Sequence, residues 1–159
     1  MAKYRVCRTF TVESGHMLSR HPEGCRFPHG HTRTVEVVVA GDSLDENGML
    51  VDFKALKLAL ESHIDRYDHA LAVNSRDPFL PQLRQQYPRE ALVVFEELEP
   101  TTEAIAKEIF DFADGILQSG FTTTNESGVT YRIPAGRVLL ERVRVWETPA
   151  SWAEYSSLD

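Results

Sequence analysis

The chain has 159 residues, 42% hydrophobic and 26% charged, which suits one globular domain spanning 1–159. Its net charge of −7 argues against general affinity for nucleic acid or for an anionic membrane. No stretch approaches the ~18 apolar residues of a membrane span, the N-terminus lacks the apolar run of a signal peptide, and two cysteines, Cys7 and Cys25, are too few for a disulfide scaffold, so a reducing cytoplasm is expected.

Residues 4–13 alternate as a strand does, with Tyr4, Val6, Arg8, Phe10 and Val12 on one face. The β-branched run 31–40 (HTRTVEVVVA) reads as a second strand, and Gly41, Asp42, Asn47 and Gly48 punctuate the turn after it. Phe53, Leu56, Leu60, Ile64 and Tyr67 recur at helical spacing and predict a helix over 53–67. Residues 74–100 hold Pro78, Pro81, Pro88 and Pro100 and read as irregular, with a short β-prone VVF at 93–95. Thr101 or Thr102 caps a second helix, whose stripe of Ile105, Ile109, Phe112, Ala113 and Ile116 stops at Gly120. Residues 121–133 and 137–147 then predict a hairpin turning near Pro134-Ala135-Gly136. The expected architecture is α+β, a four-stranded antiparallel sheet from two hairpins with two helices on one face. Such a sheet has edges to cover, which oligomerisation supplies. Cys7, inside the first strand, is expected to be a small packing residue, and His63 to lie on the helix surface or pack there.

The informative segment runs from His16 to His31, HMLSRHPEGCRFPHGH. His29 and His31 stand two apart at the start of a strand, so both side chains take one face. Gly30 between them permits close approach of another group. His16 lies where the first strand ends, and antiparallel pairing brings it beside the other two. Three neutral imidazoles with no fourth protein ligand match a catalytic zinc site with an open position. Two other readings compete: scattered polar residues on a loop, or a closed structural site completed by Cys25. Arg20, His21, Arg26 and Arg33 surround the motif in an acidic chain, as candidates for holding an anionic ligand or as solvated surface charge.

From Cys25 to His31 the pattern C-x-x-x-H-G-H resembles the signature of the 6-pyruvoyltetrahydropterin synthase family. Further motifs follow in the family's order. Residues Gly48 to Lys57 (GMLVDFKALK) resemble G-M-V-x-D-F-x-x-L-K, and Tyr67-Asp68-His69-Ala70-Leu71 resembles L-D-H-x-x-L. Pro100-Thr101-Thr102-Glu103 resembles P-T-x-E, and Val143 to Thr148 resembles V-x-V-x-E-T. The chain departs from the family at Val12-Glu13-Ser14-Gly15-His16, where F-x-A-x-H is usual, at Tyr67, and in a longer segment over Ser75 to Glu99.

The resemblance implies a tunnelling fold, whose subunits join their sheets into a barrel, and typically a homohexamer with active sites at subunit contacts. It assigns zinc to His16, His29 and His31, proton transfer to Cys25, Asp68 and His69, and the pterin ring to Glu147, Thr101 and Thr102. The implied substrate is 7,8-dihydroneopterin triphosphate. Three residues between the cysteine and H-G-H resemble the bacterial 6-carboxytetrahydropterin branch, which releases acetaldehyde and triphosphate on the way to queuosine. The alternatives are the 6-pyruvoyl reaction of tetrahydrobiopterin synthesis and a non-catalytic relative that binds zinc or a pterin.

Overall fold

The computed structural model describes residues 2–157. Strands β1 (Tyr4–His16) and β2 (His29–Gly41) pair antiparallel along their whole length, from Tyr4 opposite Gly41 to His16 opposite His29. The loop between them holds a short 3-10 turn at Gly24–Arg26. Helix α1 (Phe53–Ile64) starts where Asp52 accepts hydrogen bonds from the Lys54 and Ala55 amides, and it runs into a 3-10 turn at Asp65–Tyr67. Strand β3 (Leu71–Asn74), helix α2 (Leu80–Gln86) and strand β4 (Leu92–Phe95) follow. Helix α3 (Thr102–Ser119) leads to β5 (Phe121–Thr124), β6 (Thr130–Ile133), β7 (Leu139–Thr148) and β8 (Ser151–Ser156).

The main sheet has six strands, in the order β4-β3-β1-β2-β7-β8, where four were expected. It is also mixed rather than antiparallel, since β3 runs parallel to both β1 and β4. The segment read as irregular, 74–100, supplies helix α2 and strand β4, the latter at the β-prone VVF, while β3 comes just before it. Both β3 and β4 are four residues long, too short for a periodic signal, and β3 is buried on both faces and so lacks the alternation that marks a half-exposed strand.

The expected second hairpin is also different. Residues 121–133 fold on themselves as β5 and β6, a separate two-stranded sheet turning at Asn125 to Gly128. Pro134 has no N–H to extend that ladder. β7 instead pairs with β2 on one side and β8 on the other.

Helix α3 packs on β7 and β8, and α1 on β1, so both cover one face of the sheet. Val12 of β1, Val35, Val37 and Val39 of β2, and Val143 and Val145 of β7 form the core there with Leu56, Leu60, Ile105 and Ile109. Along β2 the same face continues through Arg33, His31 and His29, because alternate residues share a face. The row thus turns from apolar to polar at one end of the sheet, and the candidate site residues of β2 sit there. Cys7, expected to pack, takes the other face of β1 and is exposed. His63 does pack, with its ring stacked on Phe112 at 3.8 Å between centroids. No helix among the described residues is long and apolar enough to cross a membrane.

Candidate metal centre

The β1–β2 register brings the three histidines together. His16 stands opposite His29 and Gly15 opposite Gly30, while His31 lies one pleat further along. Ring centroids are 4.5 Å apart for His16 and His29, 5.1 Å for His16 and His31, and 5.0 Å for His29 and His31. One nitrogen from each falls within 4.8 Å of the others.

Backbone carbonyls orient two of the rings. His16 Nδ1 lies 2.8 Å from the Pro100 carbonyl oxygen, and His29 Nδ1 lies 2.8 Å from that of Phe27. A carbonyl only accepts, so each Nδ1 carries the proton and each Nε2 keeps its lone pair. The Nε2 atoms of His16 and His31 are buried with no hydrogen-bond partner. Orphaned buried ring nitrogens are costly, and a cation between them would satisfy both through their lone pairs. Burial, with the Arg33 charge and the neighbouring imidazoles, pulls His16 down to about 4 against the Pro100 hydrogen bond. His31 is lowered too, chiefly by burial and by Arg33. Neutral imidazoles are the metal-binding form. The donor set therefore fits a divalent zinc-like ion with a position left open. Cys25 lies half-buried in the Gly24–Arg26 turn and is not part of this cluster.

Beside the histidines lies a second network. Arg33, read from sequence either as a candidate for holding an anionic ligand or as solvated surface charge, is wholly buried. Its Nη1 donates to Thr102 Oγ1 at 2.9 Å, and the Thr102 hydroxyl donates to Glu147 Oε1 at 2.9 Å. Glu147 Oε1 also lies 3.6 Å from His16 Nε2, 3.7 Å from His31 Nε2 and 4.0 Å from Arg33 Nη2. Burial raises the Glu147 carboxyl, but the Thr102 hydrogen bond and the charges of His31, Arg33 and His16 outweigh it and leave it below its ordinary value. Thr101 faces elsewhere, its Oγ1 accepting from the Ala104 amide at 3.2 Å as the N-cap of α3.

Asp68 and His69 do touch each other, Oδ2 to Nδ1 at 2.8 Å. Both are clipped to β1, where the Glu13 amide donates to Asp68 Oδ1 at 2.7 Å and the His69 amide to the Glu13 carbonyl at 2.6 Å. His69 has a left-handed backbone, φ 55. The Glu13 amide and His69 hold Asp68 below its ordinary pKa, and Asp68 raises that of His69. The His69 side chain is 80% exposed. Among the described residues no hydrogen bond or ion pair joins this dyad to the three metal-site histidines, Glu147 or Cys25. His69 and His31 nonetheless line one cleft of about 600 Å³, with Gly30, Leu71 and Tyr87. A larger cleft of about 1480 Å³, lined by Asp68, His69, Arg66, Arg84 and Arg89, reaches none of the three.

The long segment before Pro100 has a visible task. Glu99 Oε1 accepts from Ser19 Oγ at 2.9 Å and from the Arg20 amide at 2.6 Å, and Oε2 accepts from Asn74 at 3.3 Å. It thereby fastens the loop that carries Cys25. Sequence reading missed Glu99, and also Pro100 and Phe27, which act through backbone oxygens and leave no side-chain signature. Arg33 had one, since it continues the His29–His31 alternation.

The sheet, the helices over it and the histidines at its polar end form an α+β fold found in solved tetrahydropterin synthases. A 6-pyruvoyl tetrahydropterin synthase from Plasmodium falciparum superposes with a TM-score of 0.67 at 15% identity, covering 98% of both chains. An uncharacterised Wolinella succinogenes protein gives 0.72 at 22% identity, again over 98% of both. The 6-pyruvoyl tetrahydropterin synthase family model matches residues 5–157, and the chain belongs to that family. It is 32% identical to the 6-carboxy-5,6,7,8-tetrahydropterin synthase of Aquifex aeolicus over 96% of this chain and 98% of that one. The Bacillus subtilis protein of the same name is 37% identical, over 73% of this chain and 69% of its own.

Proposed function

We propose that the protein is a zinc-dependent lyase that converts 7,8-dihydroneopterin triphosphate to 6-carboxy-5,6,7,8-tetrahydropterin, releasing acetaldehyde and triphosphate, as a cytoplasmic homohexamer serving queuosine synthesis. The observation that carries this reading is the convergence of His16, His29 and His31, with buried partnerless Nε2 atoms on His16 and His31, beside the Glu147 carboxylate. The relatives named for the 6-carboxy reaction favour it over the 6-pyruvoyl one.

The three histidines hold the zinc. When bound, the ion supplies Lewis acidity toward the oxygens of the substrate side chain, lowering the cost of removing protons from the adjoining carbons. Glu147 accepts hydrogen bonds from the donor edge of the pterin ring, which a carboxylate suits and a carbonyl does not. Thr102 orients that carboxylate, while Thr101, as the N-cap, sets where α3 begins. His69 moves protons with Asp68 fixing its tautomer and favouring its cation. Cys25 is the second proton-transfer group, held on the loop that Glu99 fastens.

The test is a product assay on the zinc-loaded protein with 7,8-dihydroneopterin triphosphate. One acetaldehyde per 6-carboxy product is expected. A 6-pyruvoyl product without acetaldehyde would move the protein to the sister reaction. A zinc-loaded protein that turns over nothing would sink the enzyme reading.

A further inference from the structure

The chain from Arg33 to Glu147 has a fixed direction. A guanidinium has donors and no acceptor, so Arg33 must donate to Thr102. The single Thr102 proton is then left for Glu147 Oε1. Arg33 cannot also share a hydrogen bond with His16: their 3.3 Å contact is to Nδ1, whose proton already goes to Pro100 at 2.8 Å. Its Nε, buried, has no hydrogen-bond partner among the described residues. A wholly buried cation with one N–H unmet stabilises the fold poorly, and an apolar side chain of similar volume is commonly as good or better there. Glu147 meanwhile is committed through Oε1, and its Oε2 makes no hydrogen bond among the described residues.

We propose that Arg33 is the positioning residue of ligand recognition: acting through Thr102, it locks one oxygen of Glu147 and presents the other as a pure acceptor to an N–H edge of the ligand. This rests on the pterin reading above. It adds that Thr102 is not itself a donor to the ring, because its proton is spent on the carboxylate. Removing Arg33 frees Thr102 to turn, and the carboxylate loses its fixed orientation while the histidines keep theirs from Pro100 and Phe27.

The experiment titrates zinc-loaded protein with unsubstituted pterin, which has no side chain to eliminate, and reads affinity, zinc content and melting temperature together. Wild type should bind pterin. Arg33→Met should keep its zinc and its melting temperature and bind pterin roughly ten- to a hundredfold more weakly, the range for a lost hydrogen bond to a charged group. Thr102→Val should weaken binding as much, and the double variant no more than either single one, because both break one relay. Arg33→Lys, which restores a donor, should recover part of the loss. Should Arg33→Met fail to fold, Thr102→Val against Thr102→Ser carries the comparison, with Ser restoring affinity. Wild-type affinity in Arg33→Met, additive losses in the double variant, or zinc lost along with pterin would each overturn the proposal. A zinc-loaded wild type that ignores pterin would overturn the pterin reading and this inference with it, and the wild-type control distinguishes that case.

Discussion

His16, His29 and His31 are held by different means. Carbonyl oxygens of Pro100 and Phe27 aim the first two, and the strand register aims the third. Such outer partners fix ring orientation in metal sites. His29→Ala should therefore lose zinc, while Cys25→Ala should keep it near one ion per chain, as measured by elemental analysis. Equal loss in both would replace the open site by a closed structural one. The histidines were legible because two residues apart on a strand means one face, whereas Glu147 was named only through the resemblance of Val143 to Thr148 to V-x-V-x-E-T. The Asp68–His69 contact was not legible. Neighbouring residues in extended backbone point apart, and only the left-handed φ of His69 lets them meet. The burial of Arg33 depends on α3 and β7, far away in sequence.

Between α1 and α3 a polar cluster ties the turn that precedes the dyad. Tyr67 donates to Glu108 Oε1 at 2.5 Å, His63 Nε2 lies 2.7 Å from Oε2, and Arg66 lies 3.8 Å from Oε1. Burial raises the Glu108 carboxyl, but the hydrogen bonds from His63 and Tyr67 outweigh it, so its folded pKa is depressed. Burial and the Glu108 carboxylate hold the Tyr67 phenol well above its ordinary value, so it stays a donor. A depressed carboxylate stabilises the fold above its unfolded pKa of about 4.3, and the gain disappears as pH falls through the lower folded value. Glu108→Gln should lower the melting temperature at pH 7, and the gap to wild type should close below about pH 4. A gap that widened in acid would contradict this account. Among elements, α1, α3 and the β1–β2 ladder were readable from periodicity. β3 and α2 are too short for it, β4 was read only as the β-prone VVF at 93–95, and β8 follows its turn so closely that no spacing marks it.

For the whole molecule, the main sheet of the described residues ends in β4 on one side and β8 on the other, each hydrogen-bonded to a single neighbouring strand. Unpaired edges invite a further chain. The dyad shares no hydrogen bond with the histidine cluster among the described residues, but His69 and His31 line one cleft of the same chain. Light scattering at micromolar concentration should show an oligomer, with a hexamer expected. A stable monomer with full turnover would overturn that assembly. The α+β class and the covered face were legible from element order. The six-stranded mixed sheet was not, because parallel pairing of β3 with β1 joins residues about 55 positions apart by no local signal.

The left-handed backbone at His69 also limits what can replace it. Glycine, asparagine and aspartate adopt that conformation readily, whereas β-branched residues are strained in it. The side chain is exposed, so little packing opposes a change. Sequence drift at this position thus has a narrow set of exits, and asparagine, a single base change from histidine, is the smoothest. Along that path a descendant of this chain would shed its imidazole while keeping the Glu13 clip, the sheet and the histidine cluster, and under the proposed proton-transfer role of His69 it would be left as a binder.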